Sequence, residues 1–292
     1  MATINHADIQ KNIRSKVIKN AVLKWLFFLA TMVGLVFLVL LFYRILTQGI
    51  GFFSLDYILS FPAPYPEEAG IFAGLMGSIG LMLIVAPVSV IIGVSTALYI
   101  EEYAKKNKMT SFIQANIQNL AGVPSIVFGL LGLTFFVYMF NFGYTLIAGG
   151  LTMALLILPV IVVAAQESIR SIPVELKEAS YGMGATKWQT IRRVVIPAAL
   201  PGMLTGTILA LSRAIGETAP LIIVGAATAI YTTPDSIFSR YTAMPIQIFN
   251  WTSRPQEEWQ YVAGAGIIVL LIVLLAMNAI AVFIRNKFQK RL

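Results

Sequence analysis

Long apolar stretches constrain this chain more than any other feature of its sequence. An α-helix needs about 20 apolar residues to cross a bilayer. Six stretches reach or approach that length, at 25–46, 72–100, 117–140, 144–165, 201–227 and 262–284. Only 12% of the 292 residues are charged, whereas a soluble domain carries about a quarter. The sequence therefore predicts an all-α, polytopic membrane protein with six transmembrane helices.

The basic residues predict the orientation of these helices. Of the 21 lysines and arginines, 17 lie in four segments on one predicted side of the membrane: 1–24, 101–116, 166–198 and 285–292. Lysine and arginine concentrate in cytoplasmic loops, so both termini are expected in the cytoplasm. The first apolar stretch is too long for a signal peptide and no small-residue cleavage site follows it, which favours a retained span.

The chain divides accordingly into four parts. We expect a cytoplasmic tail at 1–24, a first transmembrane helix with an external loop at 25–71, a core of five transmembrane helices at 72–284, and a second cytoplasmic tail at 285–292.

Between the third and fourth stretches only Asn141-Phe142-Gly143 intervene, which predicts a tight hairpin. The external segment 228–261 is rich in aromatic residues. One interpretation is an aromatic belt at the membrane interface; the other is a docking surface for an external partner that delivers substrate. The aromatic residues are Tyr231, Phe238, Tyr241, Phe249, Trp251, Trp259 and Tyr261.

Several kinds of chemistry are excluded by composition. The chain has no cysteine and one histidine, His6, which excludes thiolate metal sites and histidine-based metal or triad chemistry. No glycine-rich loop of the Gly-x-x-x-x-Gly-Lys-[Ser/Thr] type occurs, so the chain lacks that device for holding ATP phosphates. We therefore expect no catalytic residue, metal site or cofactor in this chain, and any ATPase must be a separate polypeptide.

The cytoplasmic segment 166–198 predicts a helix, a corner and a second helix. Pro173 suits a helix start, and Gly182 and Gly184 favour its end. Thr186 and Gln189 then have the spacing of a capping box, which marks the start of the next helix. Small residues at the corner permit close approach of another backbone, so one interpretation is a segment held by a partner. The alternative is a connector that lies along the membrane surface.

This segment resembles the EAA motif of ABC importer permeases. The resemblance rests on Glu178-Ala179-Ser180, the later Gly184 and the terminal Ile196-Pro197, with Ser180 in place of the usual third small residue. It implies the type I ABC importer permease fold and a coupling helix seated in a groove of the ATPase. By this resemblance, Glu178, Ala179 and Gly184 contact the ATPase.

Charged residues inside the fifth apolar stretch are the second unusual feature. Arg213 and Glu217 are four residues apart, so they share one helix face and can pair. Gly216 and Pro220 weaken the helix at the same place, which predicts a bend or break there. A charge in a span is expensive and usually functional.

Two interpretations of this pair remain open. It could be a structural ion pair that locks neighbouring helices. It could instead line an anion pathway, since the arginine fork binds phosphate-like oxyanions in bidentate fashion and Glu217 would orient and partly neutralise Arg213.

Two segments resemble the phosphate-specific ABC permeases: 121–130, which reads AGVPSIVFGL, and 213–220, which reads RAIGETAP. The Gly-Glu-Thr-Ala-Pro ending is more similar to the PstA branch than to the PstC branch. The resemblance implies a bacterial-type inner membrane location and import of inorganic phosphate. It also implies a PstC-like permease partner, two PstB-like ATPase subunits that bind ATP and Mg²⁺, and an external PstS-like phosphate-binding protein.

The alternatives are a permease for another oxyanion or an organic solute, and an ATP-independent secondary transporter. Secondary carriers often show duplicated halves with paired broken helices, and the sequence shows no such repeat.

Overall fold

A computed structural model describes residues 6–226 and 230–289, with side chains for 16–226 and 230–287. The extreme ends of the two predicted tails (1–5 and 290–292), and Ala227 at the end of the fifth predicted stretch, lie outside the described residues. All regular secondary structure in the described part of the chain is helical, as predicted.

The helices follow one another with short connections. They are α1 (His6–Gly49), α2 (Leu55–Leu59), α3 (Phe72–Leu98), α4 (Lys108–Leu120), α5 (Ser125–Gly132), α6 (Leu146–Arg170), α7 (Val174–Gly182), α8 (Lys187–Thr190), α9 (Ile196–Ile215), α10 (Ala219–Ile223), α11 (Met244–Thr252) and α12 (Glu258–Gln289). Wide π-helical turns extend α3 over Tyr99–Tyr103 and α5 over Leu133–Met139, and a third such turn, Ile191–Val195, joins α8 to α9. A single 3₁₀ turn covers Pro66–Glu68.

Within the described residues, five continuous helices are long and apolar enough to cross a membrane, and the bent pair α4–α5 makes a sixth if it counts as one span. The first span differs from the prediction at its start. Helix α1 begins at His6, inside the segment expected as a polar tail. Neither glycine nor proline occurs between His6 and Gly34, so nothing in that part of the sequence breaks the helix.

The third span is not the straight helix expected at 117–140. Helix α4 ends at Leu120, and the chain turns by 106° before Ser125–Met139. Gly122 and Pro124 lie in the connection, and both residues interrupt helices. Helix α4 is amphipathic and has no buried residue, whereas α5 buries Phe128, so the boundary also separates a surface helix from a packed one.

The fifth span is displaced toward the cytoplasm relative to the predicted 201–227. The helix runs without a break over Lys187–Ile215. It ends at Gly216 and α10 begins three residues later. The prediction that the helix is interrupted near Gly216 and Pro220 is confirmed. The expectation that Arg213 and Glu217 share a face of one helix is wrong, because Arg213 is in the last turn of α9 and Glu217 follows its end.

Helix α6 is the centre of the bundle and is buried along most of its length. It packs against α3 through small residues. A Cβ on Gly93 of α3 would lie 2.8 Å from Cγ2 of Ile161, and one on Gly150 would lie 2.7 Å from Cγ2 of Ile84. Small residues let transmembrane helices approach closely. The predicted hairpin between α5 and α6 is confirmed, with positive φ at Asn141 and Gly143.

The external segment 230–261, which includes the start of α12, is partly a packed cap on the bundle. Tyr241, Trp251 and Trp259 are buried, so these three rings belong neither to an interfacial belt nor to an open docking surface. The remaining aromatic residues of the segment are exposed: Tyr231, Phe238, Phe249 and Tyr261. The two interpretations, an interfacial aromatic belt and a docking surface, therefore apply only to these four exposed residues.

Candidate translocation and coupling sites

The charged pair of the fifth span is formed as predicted. Nε of Arg213 donates to Oε1 of Glu217 at 3.1 Å. The Arg213 side chain is 56% exposed in the single chain and that of Glu217 is 17% exposed. Among the described residues, this salt bridge stays within one stretch of chain and joins no second helix. The geometry therefore does not support a pair that locks neighbouring helices.

The local backbone explains where the pair sits. Gly216 ends α9, and its N–H bonds to the carbonyls of Ala214 and Arg213. Arg213 is thus beside the negative end of the helix dipole, which favours a cation. Pro220 does not lie within a continuous helix; it occupies the first turn of α10, where its missing N–H costs no hydrogen bond.

The two segments that resemble phosphate-specific permeases meet in space. Helix α5 carries the end of the first segment and packs along α10, which carries the end of the second. Gly129 lies directly against Pro220. Segments about 90 residues apart therefore form one structural unit that includes Arg213 and Glu217.

Sequence reasoning missed a polar contact next to this unit. The Ser212 hydroxyl hydrogen-bonds Oδ1 of Asn278 in the last span. A lone asparagine in an apolar helix is the signal that could have found it, because polar groups in spans commonly bond across helices.

The helix, corner and second helix predicted within 166–198 are confirmed. Helix α7 starts after Pro173 and ends at Gly182. Gly184 adopts a positive φ of 83°, which glycine tolerates best. Both hydrogen bonds of the capping box between Thr186 and Gln189 are present.

The three residues predicted to contact the ATPase are all exposed: Glu178, Ala179 and Gly184. An open cleft of about 560 Å³ lies beside them, with Ala179 and Gly184 in its wall. The neighbouring Met183 is 89% exposed, which is unusual for an apolar side chain at a helix end outside the apolar spans. This corner is accessible on the single chain.

Sequence reasoning also missed the groups that hold this segment in place. Glu101, at the cytoplasmic end of α3, binds Arg170, and the adjacent Glu102 binds Lys177 of α7. Two consecutive acidic residues at the end of an apolar stretch, facing a basic segment, are the sequence signal that could have indicated these contacts.

Comparisons with known proteins agree with this architecture. Residues 89–292 match the family model described as "Binding-protein-dependent transport system inner membrane component". The probable ABC transporter permease protein YqgI of Bacillus subtilis (strain 168) is 34% identical over 87% of this chain and 91% of its own length.

A second relative carries a more specific name. The phosphate transport system permease protein PstA 1 of Mycobacterium tuberculosis (strain CDC 1551 / Oshkosh) is 33% identical over 94% of this chain and 91% of its own. Among solved structures, a chain of a bacterial alginate ABC transporter in complex with its alginate pentasaccharide-bound periplasmic protein superposes with a TM-score of 0.63 and 15% identity. The match covers 91% of this chain and 94% of that one, and it supports the fold alone.

Proposed function

The chain belongs to the family of binding-protein-dependent transport system inner membrane components, and from this premise we propose that it is the PstA-type permease subunit of an ATP-driven importer of inorganic phosphate. As a member of that family it is a multi-span permease and not an enzyme, and it works in an ABC complex with an ATPase and a binding protein. Family membership does not specify the solute, the residues that line the pathway and contact the ATPase, or the type of each partner subunit, and these are proposed below.

The observation that carries the phosphate proposal is the Arg213–Glu217 pair at the broken end of α9. More than half of the surface of the Arg213 side chain is exposed, while one guanidinium nitrogen bonds Glu217. Its other nitrogens can bind an oxyanion, and arginine is well suited to phosphate because its planar fork matches two oxygens. The nearby carboxylate repels the same anion and keeps the site from holding it too tightly.

The position of the pair suits a pathway. About 20 residues separate Arg193 from Arg213, which corresponds to about 30 Å along a helix axis. That distance is close to the thickness of the hydrocarbon core. We therefore place Arg213 toward the outer side of the span, with the basic residues of α8 and its π-helical turn on the cytoplasmic side.

The second part of the proposal is that α7 contacts the ATPase. We propose that Glu178, Ala179 and Gly184 contact the ATPase, with the exposed Met183 beside them. The partners are a PstC-like permease that completes the pathway, two PstB-like ATPase subunits that bind ATP and Mg²⁺, and a PstS-like protein that delivers phosphate. Closure of the ATPase dimer would move α7, open the pathway outward and then return phosphate inward past Arg213, with Gly216 and Pro220 as the hinge.

The test is phosphate uptake by the complete complex in proteoliposomes. Arg213→Gln should lower ATP-dependent uptake at least tenfold, equivalent to about 1.4 kcal/mol, while the complex still assembles. Arg44→Gln, at the outer end of α1, is the matched control and should leave uptake unchanged.

A double variant separates the two interpretations of the pair. If the pair is only structural, Arg213→Gln with Glu217→Gln removes both charges and should restore uptake. If Arg213 meets the anion, the double variant stays inactive. Normal uptake in either variant would contradict the pathway role, and competition of labelled phosphate by sulfate, molybdate or phosphonate would show whether the solute is another oxyanion.

A further inference from the structure

We infer that Glu101 and Glu102 are positioning residues that fix the coupling helix α7 to the cytoplasmic end of α3. The inference rests on the proposed role of α7 as the ATPase contact. Oε1 of Glu102 accepts a hydrogen bond from Nζ of Lys177 at 2.6 Å. The Glu102 side chain is only 7% exposed and that of Lys177 22%, so the pair is largely shielded from water.

The adjacent carboxylate binds a different element. Glu101 accepts two hydrogen bonds from Arg170, at 2.7 and 3.0 Å, and one from Nε2 of Gln166 at 2.9 Å. A planar guanidinium bound through two nitrogens holds both position and orientation. Arg170 also bonds Glu167 at 3.1 Å, on the exposed side.

The shape of the chain lets two neighbouring residues reach two elements. Glu101 and Glu102 lie in the π-helical turn Tyr99–Tyr103, and side chains one residue apart on a helix point in different directions. The centre of the Tyr103 ring, in the same turn, lies 4.7 Å from Nζ of Lys187 at the start of α8. One turn at the end of α3 therefore holds the end of α6, the coupling helix and the helix that follows it.

The connection matters because α3 is distant from α7 in sequence. Helix α7 follows α6 directly, but Glu102 and Lys177 are 75 positions apart. Removing one partner of a shielded ion pair leaves an uncompensated charge, which is strongly unfavourable. Any displacement of α7 that kept this pair intact would move α3 with it.

At its other end, α3 packs against the external segment, so a movement of α3 would be transmitted there. Gly77 lies so close to Thr242 of the external segment that a Cβ there would collide with the Thr242 carbonyl, and a Cβ on Gly74 would lie 2.5 Å from Oε1 of Gln247 in α11. A single helix thus runs from the acidic residues beside the coupling helix to the packed external cap. We assign to Glu102 and Lys177 the transfer of motion from α7 into this helix.

The test uses the full complex, reconstituted with both permeases, the ATPase and the binding protein. Lys177→Gln should raise the ATP hydrolysed per solute imported at least about fivefold, the lower range of typical coupling effects. The exchanged pair Glu102→Lys with Lys177→Glu should return the ratio toward wild type. Lys106→Gln, an exposed lysine three residues beyond the turn, is the matched control and should not change it. A purely structural role would lower the amount of complex but leave the ratio unchanged.

A second measurement does not depend on the solute. The chain has no cysteine, so within this chain spin labels attach only at Lys105→Cys and Val174→Cys. Their separation should stay constant between nucleotide-free and ATP-bound complexes, and should change with nucleotide when Lys177→Gln is added. A wild-type separation that changes as much as the variant's, or an unchanged ATP ratio in Lys177→Gln, would overturn the inference. Absence of phosphate import by the wild-type complex would contradict the proposed solute only.

Discussion

Gly129 of α5 and Pro220 of α10 are in backbone contact. A Cβ added to Gly129 would lie 2.8 Å from Cα of Pro220 and 3.1 Å from its carbonyl oxygen. Only glycine allows this approach. Because Pro220 lies in the first turn of α10, the short helix that follows Glu217, the contact fixes the helix break that carries the Arg213–Glu217 pair.

The first prediction concerns this contact. Gly129→Ala should displace α10 and lower phosphate uptake severalfold, because the neighbour is backbone and cannot rotate away. Overpacking of this kind costs about 1–3 kcal/mol. Uptake and the thermal midpoint of the purified complex measure the effect.

Gly122→Ala is the matched control. This glycine belongs to the same segment, but a Cβ there would meet only the Asn119 carbonyl, at an ordinary 3.5 Å. Gly122 does not have a positive φ and Pro124 still interrupts the helix, so the variant should behave as wild type. Equal uptake by the two alanine variants would show that the contact between α5 and α10 does not shape the site.

The second prediction concerns the corner after α7. Among the described residues, a Cβ on Gly182 would meet no atom within 4 Å beyond its own helical backbone and its two chain neighbours, so Gly182→Leu should leave the isolated permease intact. If the corner is seated in the ATPase, the added side chain should weaken that association at least tenfold, or about 1.4 kcal/mol. The amount of ATPase that co-purifies with the permease measures this.

Gly34→Leu provides the comparison, since Gly34 on α1 is equally open but far from α7 in the sequence. It should retain the ATPase. Full retention in Gly182→Leu as well would argue that the corner only lies along the membrane surface.

The third prediction concerns Tyr241. Its hydroxyl is buried and has no hydrogen-bond partner among the described residues, and its ring lies against Gly149. Tyr241→Phe should therefore be neutral or stabilising by about 1 kcal/mol, since an unsatisfied buried hydroxyl is unfavourable. A lower thermal midpoint in the variant would show that the hydroxyl has a partner in the assembled complex.

The same residue predicts a pH dependence. Burial raises the pKa of the Tyr241 phenol above its ordinary value of 10. The folded state then favours the neutral phenol, so this contribution to stability is complete below pH 10 and declines as the pH rises above it. The difference in thermal midpoint between Tyr241→Phe and wild type should widen above pH 10.

Much of the fold follows from apolar length alone. The starts and ends of the second, fourth and sixth spans lie within about five residues of the helices observed, and boundary errors of a few residues are usual. The prediction of one straight helix for the third span was wrong. Residues 117–140 form one apolar run in the sequence, but Gly122 and Pro124 divide it. The fifth was displaced because apolar residues continue past Gly216 after the helix has ended.

In the candidate sites, too, local features could be predicted from the sequence and contacts between distant residues could not. The family was predicted from three short segments and is confirmed, and the α7 corner was predicted because caps and glycines act locally. The contacts of Glu101 and Glu102 could not be predicted, since their partners lie 65–75 positions away and only packing brings them together. Likewise, nothing in either segment alone indicates that Gly129 meets Pro220.

The 106° turn before α5 has a consequence for the electrostatic barrier to an ion. The 15 helical residues of Ser125–Met139 extend at most about 22 Å, the length at the α-helical rise, less than the roughly 30 Å of a bilayer interior. Beside this short span, we expect water or headgroups to reach deeper from the cytoplasm. Under the proposed function, an anion passing there would cross a thinner layer of low dielectric, and the protein would need fewer compensating charges along its route.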